Sequence, residues 1–466
     1  MPTFSTLIQT PEVRAIVQEG YLERAFHDAL FPLMLYRGDV ASVPWPGQVG
    51  DTQIFTGKGT IEPNGRPIAP GVDPTPKSYP LEQWSAQLHQ YADTMDTHMP
   101  TSVQAIVDLL MSNAHALGLQ AAQTLNRLVR NRQYNIAESG FTVANGAASG
   151  GSSTALAVKR LNGFTTARNT VLSSGVQRVR FDAVSSTNPL QISIAGTIRN
   201  VIAATPDTAG DELGPGTLTL DSAASWSDRA YVHAVDKSSS FFVGGGNKVD
   251  DLSVTDLPTL QDIRTAVTRL RTNNAHPYPE GNFHAHIDPE SESAMFADTE
   301  IQRMNTGRPD SYMYTDFVVG RILGVSFVRN NEAPLARTVY PYDGATFSDV
   351  DAFAPELTNN GLTTGMGVHR ILFCGWGGLI EYYQDPAMYI TEAGLNGRMG
   401  DVHLMQDGIE ITADHVKVIM RAPQDRLQQM VSTSWVFVGD WVYRTDATAP
   451  GPARYKRSLA LLHGGA

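Results

Sequence analysis

TSVQAIVDLLMSNAHALGLQAAQTLNRLVRNRQYN, residues 101–135, contains no proline. Val103, Ile106, Leu110, Ala114, Leu117, Ala121, Leu125 and Leu128 recur in it every three or four residues. That spacing draws one apolar stripe down one face of a helix. Thr101 followed by Gln104 is a capping-box pattern, and Pro100 blocks extension upstream. Arg127, Arg130 and Arg132 crowd the far end, where the helix dipole favours cations. At 1.5 Å per residue such a rod is about 50 Å long, several times the average helix of about 11–12 residues. The spacing drifts off a strict heptad and lacks e/g charge pairs, which argues against a coiled coil. The stretch predicts a spine against which sheets pack.

The chain around this helix has 466 residues, enough for two or three domains. With 35 Lys+Arg against 47 Asp+Glu the formal net charge is -12, which argues against a dedicated nucleic-acid binder with its basic face. Forty-one Gly and 27 Pro point to long irregular connections. The single cysteine, Cys374, excludes an intramolecular disulfide framework and sits in RILFCGWGG, a strand-like apolar run. No secretory signal is visible and the longest apolar runs, such as FVVGRILGVSFV, are interrupted by Arg321, so a soluble, intracellularly made protein without a membrane span is expected.

In chain order, residues 10–30 place Val13, Ile16, Val17, Leu22, Phe26 and Leu30 at helical spacing behind Thr10 and Pro11. An isolated helix of that length is marginal in water, so its apolar face needs a partner, in this chain or in a neighbouring subunit. Residues 44–80 hold eight prolines and six glycines and almost no core material. Strand-like patches at DTQIFT (51–56) and EQWSAQLHQY (82–91) flank them, predicting a long extended hairpin with a solvated tip. A disordered linker is the competing reading, and the flanking strands weigh against it. Residues 140–155 are small and polar. Between 176 and 243, VQRVRF, LQISIA, IRNVIAAT, GTLTLDS and RAYVHAV read as short strands of a small barrel or sandwich.

A second helix is predicted over 258–274, with Pro258 in its first turn and Leu260, Ile263, Val267 and Leu270 on one face. NFHAHID (282–288) reads as a strand and PESESAMFAD (289–298) as a short helix, followed by a strand or hairpin over 318–330. The later strands are 368–377, 410–422 and 433–444. Helix and strand do not alternate as regular βαβ units, so an α+β class is expected.

Catalytic chemistry has little support. GGGNK (244–248) lacks the spacing and the Ser/Thr of a phosphate loop, and no GxSxG elbow occurs. His284, His286 and Asp288 alternate along one strand, but the local set lacks a convincing third ligand, so no metal site is predicted there. Asp250, Asp251, Glu290 and Glu292 read as solvated turn and helix-start charges. No catalytic, cofactor-binding or metal residue, and no cofactor, is expected.

An amphipathic N-terminal stretch, a Pro/Gly-rich hairpin, an uninterrupted spine helix, a β insertion, a second helix and a closing β segment follow one another in this order. That order resembles the major capsid proteins of tailed double-stranded DNA bacteriophages, those of the Hong Kong-97 fold. The resemblance implies an N-terminal arm at 1–43, an extended loop (E-loop) at 44–80, and a peripheral domain at 81–175 with its spine helix at 101–135. It further implies a β-rich insertion domain at 176–250, a central A-domain at 251–423 and a return to the peripheral domain at 424–466. In such proteins a strand commonly ends at a Pro-led short helix, as at Asp288, Pro289 and Glu290 here.

The function so implied is non-enzymatic: self-assembly, as hexamers and pentamers, into an icosahedral shell enclosing double-stranded DNA. The protein would be made in the host bacterial cytoplasm and reside in the virion, with scaffolding, portal and decoration proteins as partners. Ile16, Phe26, Lys58, Ile61, Arg66 and Ile68 are the expected subunit contacts. Lys58 lies in a loop suited to covalent cross-linking, but the other two groups that reaction needs are not assignable. Long arms with little core of their own suit a subunit whose neighbours order them, and a negative charge suits a shell that must release its DNA. An encapsulin-like nanocompartment shell shares the fold, and a phage tail or decoration protein is the other alternative, against which the spine helix counts.

Overall fold

In the computed structural model the structure describes residues 35–46, most of 50–98, 109–305 with short breaks, 320–330, 336–337, 367–384, most of 402–421, 429–444 and 457–465. Among these the fold is mixed α+β, with many strands and few helices. None of the described helices is long and apolar enough to cross a membrane. The chain divides into two compact units, one of Met1–Gln53, Ala86–Val129 and Ile380–Val442, the other of Ile54–Ser85, Arg130–Leu379 and Tyr443–Ala466.

The expected spine is a helix over Leu109–Ala137. Thr101, Val103, Gln104 and Ile106 lie outside the described residues. Ala114, Leu117, Ala121, Leu125 and Leu128 are each at most 3% exposed, so the stripe read from the spacing is the buried face. In the first unit, a seven-stranded sheet has the long strand Met430–Tyr443 at its middle, between Leu379–Tyr383 and Val416–Arg421, with His89–His98 also paired to it. Its burial alternates with period two, Val431, Trp435 and Phe437 facing inward. Trp435 donates its indole N–H to Gln120 of the helix at 3.2 Å. Buried Arg37 donates to both oxygens of Glu381, each at 2.8 Å, and Trp441 donates its indole N–H to the same carboxylate. That bidentate clamp holds residues beside strand Ala41–Pro44, which runs parallel to Leu379–Tyr383.

The second unit carries three sheets. One is a closed antiparallel barrel of Phe141–Val143, Tyr231–Ala234, Leu190–Ile194, Thr197–Pro206, Gly216–Ala224 and Ser153–Val158. An Ala144–Val158 bridge and the Lys159 N–H to Val143 carbonyl bond join its last strand to its first. Leu156, Phe164, Ile192, Ile194, Leu218 and Val232 fill its interior. The barrel therefore begins at Phe141 rather than near 176. Strand Val176–Ala183, read from sequence as part of the same β module, instead pairs with Thr166–Ser173 and runs parallel to Leu81–Gln87 in a four-stranded sheet with Thr52–Lys58. Pairing across that sequence distance is a tertiary choice that a local pattern does not encode.

Tyr231 at the barrel rim is largely buried, which pushes its phenol up to about 12. A folded-state value above the unfolded one of about 10 contributes stability that is complete below pH 10 and lost between pH 10 and 12. The expected loss is at most about 2–3 kcal/mol over that window. Tyr231→Phe should flatten it, as read by urea unfolding at pH 9 and pH 11.5.

The third sheet runs Phe241–Phe242, Ser458–Gly465, Gly367–Cys374, Phe283–Ile287, Val325–Arg329, Arg321–Ile322. Helix Leu260–Thr272 buries Ile263, Ala266, Val267 and Leu270 in the same core as Phe283, Ala285, Ile287, Phe373 and Leu461. Thr259 and Asp262 cap that helix reciprocally, so Pro258 precedes the cap instead of occupying the first turn. Leu323 and Gly324, both with positive φ, turn the short hairpin between Arg321–Ile322 and Val325–Arg329.

Candidate functional site

Two features carry chemistry that the core does not need. The first is the long loop between Thr52–Lys58 and Leu81–Gln87. At its base the Gly59 N–H donates to the Pro80 carbonyl, and Phe55 stacks on Trp84 at 6.4 Å between centroids. A Cβ on Gly57 would meet the Trp84 ring at 3.0 Å, so glycine lets the two strands close there. Beyond the base, Ile61, Ile68 and Val72 are 53%, 49% and 59% exposed. Lys58 is exposed, its ammonium 5.7 Å from the Tyr79 ring centre. Ile16, Phe26 and Arg66, the other expected contact residues, lie outside the described residues.

The second feature is a polar cluster where strand Phe283–Ile287 enters helix Pro289–Phe296. Asp288 is the N-cap, accepting from the Ser291 N–H at 3.2 Å, with Pro289 in the first turn. Asp288 also accepts from the Ser291 hydroxyl and faces His369 Nδ1 at 2.9 Å. His369 comes from Gly367–Cys374 and stands opposite His463 of Ser458–Gly465 in the antiparallel register. The two rings lie nearly parallel, 5.2 Å apart. His463 contacts Ser291 Oγ through Nε2 and the Gly464 carbonyl through Nδ1, both at 2.7 Å. Asp288, Ser291, His369 and His463 are all buried, whereas Glu290, 3.3 Å from His369 Nε2, reaches solvent.

Electrostatics sort these groups. Burial drives the Asp288 carboxyl upward, but the hydrogen bond and charge of His369, the Ser291 hydroxyl and the charge of His463 together hold it below the usual carboxylate value. Burial is also the largest influence on His463. With the charge of His369 it outweighs the Gly464 carbonyl and Asp288 and pushes the imidazole down to about 4. Gly464 is fixed by space, since a Cβ there would lie 2.0 Å from the Ser253 carbonyl oxygen. Gly464→Ala is expected to lower the midpoint of urea unfolding by more than an exposed Gly→Ala change, because backbone cannot yield as a side chain can.

His284, His286 and Asp288 do not form one site. His284 stacks on Tyr278 at 3.8 Å, His286 is buried, and only Asp288 joins the cluster. His369 and His463 were not foreseen, because each is a lone histidine in an apolar strand.

No protein-family model matches the chain, and no curated protein does. Among solved structures, a chain of the capsid of cyanophage P-SCSP1u superposes with a TM-score of 0.46 at 11% identity, covering 93% of this chain and 89% of that one. The mature capsid of bacteriophage PhiM1 gives 0.45 at 10% identity over 92% and 86%. The capsid of Ralstonia phage GP4 gives 0.43 at 12% identity over 92% and 86%. All three scores fall below 0.5.

Proposed function

We propose that this chain is a shell-forming coat subunit, the major capsid protein of a tailed double-stranded DNA bacteriophage with a Hong Kong-97 type of fold. The observation that carries the reading is the loop beyond Gly59. Among its described residues three aliphatic side chains, Ile61, Ile68 and Val72, are about half exposed, and none of them belongs to a described core. Exposed apolar groups on a loop gain stability only when another surface covers them, and a second copy of the same chain is the partner a self-assembling shell provides. The reading also draws support from the long helix bonded through Gln120 to the long strand, from the barrel and from the capped strand-to-helix junction. In this reading Ile16, Phe26, Lys58, Ile61, Arg66 and Ile68 contact neighbouring copies. Portal, scaffolding and decoration proteins, enclosed DNA and a place in the virion complete the proposal.

Replacing residues 61–72 with a short Gly-containing turn tests it. A shorter loop slightly lowers closure entropy, so the unassembled variant should melt and show circular dichroism like the parent. Electron microscopy of the parent should show closed particles of uniform size, and the variant should form none. Parent-like shells from the variant would overturn the role of the loop. A parent that stays monomeric at high concentration would overturn the coat reading itself.

A further inference from the structure

We propose that His369 Nε2 and the Glu290 carboxylate bind a divalent transition-metal ion of the zinc class, with Asp288 as the positioning residue behind the imidazole. Both nitrogens of His369 face carboxylate oxygens, Asp288 at 2.9 Å and Glu290 at 3.3 Å. A lone pair cannot face a carboxylate without a positive centre between them, so each gap holds a proton or a metal ion. The two gaps differ in length. The Asp288 contact has the length of a charge-assisted N–H···O bond, about 2.7–2.9 Å. The Glu290 contact is longer than that. It matches the edge of a tetrahedral coordination sphere, about 3.3 Å for metal–ligand distances of about 2.0–2.1 Å.

The surroundings fit a metal better than a second proton. Asp288 accepts from Nδ1 and so directs the Nε2 lone pair toward Glu290, the carboxylate–histidine arrangement that orients metal-bound imidazoles. Ser291 holds Asp288 through both its hydroxyl and its N–H. The ligand-type atoms of Asp288, Glu290 and His369 lie within 4.8 Å of one another, Asp288 serving Nδ1 and Glu290 facing Nε2. An imidazole with carboxylates suits zinc and its neighbours in the first transition row rather than calcium or magnesium, which take oxygen ligands. Glu290 is 44% exposed, so an ion can enter from solvent and water can fill its remaining positions. This inference is independent of the shell reading, because all its residues lie in one unit of one chain.

The test is a titration of the full chain with Zn²⁺, and with Co²⁺ for its visible absorption, under conditions where it is unassembled. One equivalent should bind, and Co²⁺ should show the intense bands of a four-coordinate site. Glu290→Gln keeps the shape of a surface residue and should leave the melting curve unchanged. It should weaken binding at least tenfold, the smallest change that even a lost orienting partner produces. Asp221→Asn, an exposed carboxylate in the barrel, should bind as the parent does and so controls for surface acids. No bound equivalent, or equal affinity in parent and Glu290→Gln, would overturn the proposal.

Discussion

Leu117→Asp is expected to leave the chain insoluble. Leu117 is 1% exposed on the buried stripe of the long helix, with Ala114 one turn before it and Ala121 one turn after. Truncating a buried leucine to alanine already costs roughly 2–5 kcal/mol. A carboxylate in the same place adds desolvation of a charge or forces its protonation, at several kcal/mol more. The sum approaches the whole stability of an ordinary domain, about 5–15 kcal/mol. Leu119, two residues on and 38% exposed, supplies the contrast. Leu119→Asp should shift the stability of the unassembled chain by no more than about 0.5 kcal/mol. Soluble fraction on expression and urea midpoints of the two variants measure the difference. Equal behaviour would mean that the helix register is wrong and that the stripe does not face the core.

The stripe was legible because helical burial imprints its own period on the sequence. The Asp288–Pro289 start of the short helix was legible for a similar reason, since capping chemistry is local. Pairing was not. FTV at 141–143 lies inside a stretch that reads from sequence as small and polar, yet its backbone bonds to Tyr231–Ala234 make it a barrel strand. Val176–Ala183 has the same character as its neighbours, but its partner Leu81–Gln87 lies far back in the chain. The polar cluster was invisible in the same way. Nothing near His369 or His463 marks either as more than a histidine in an apolar run, and only the antiparallel register of their two strands sets the rings face to face and beside Asp288. The loop tip lay between these cases. Its proline content showed that it lacks a core of its own, while the exposure of Ile61, Ile68 and Val72 needed coordinates.

Glu138→Gln is expected to be almost as damaging as Leu117→Asp, for an electrostatic rather than a packing reason. Glu138 follows the last residue of the long helix and is fully buried. One of its oxygens is 3.0 Å from Arg160 Nη1 and the other 2.6 Å from Arg370 Nε, and the three side chains are at most 3% exposed. A single carboxylate thus stands between two buried guanidiniums, one from the turn after strand Ser153–Val158 and one from strand Gly367–Cys374. Glutamine preserves the shape, so no cavity opens and the loss is that of the charge. A buried acid can escape by taking up a proton, but a guanidinium stays charged at any pH the fold survives. Removing one partner of a buried pair costs about 3–5 kcal/mol for that reason, and two cations sharing the lost carboxylate place this site at the upper end. The two arginines also repel each other once Glu138 is neutral. Arg370→Met added to Glu138→Gln should therefore restore part of the stability, a non-additivity that chemical denaturation of the two single variants and the double variant reads directly. A loss under about 1 kcal/mol for Glu138→Gln, or strict additivity with Arg370→Met, would show that the shared carboxylate does not hold these strands to the helix end.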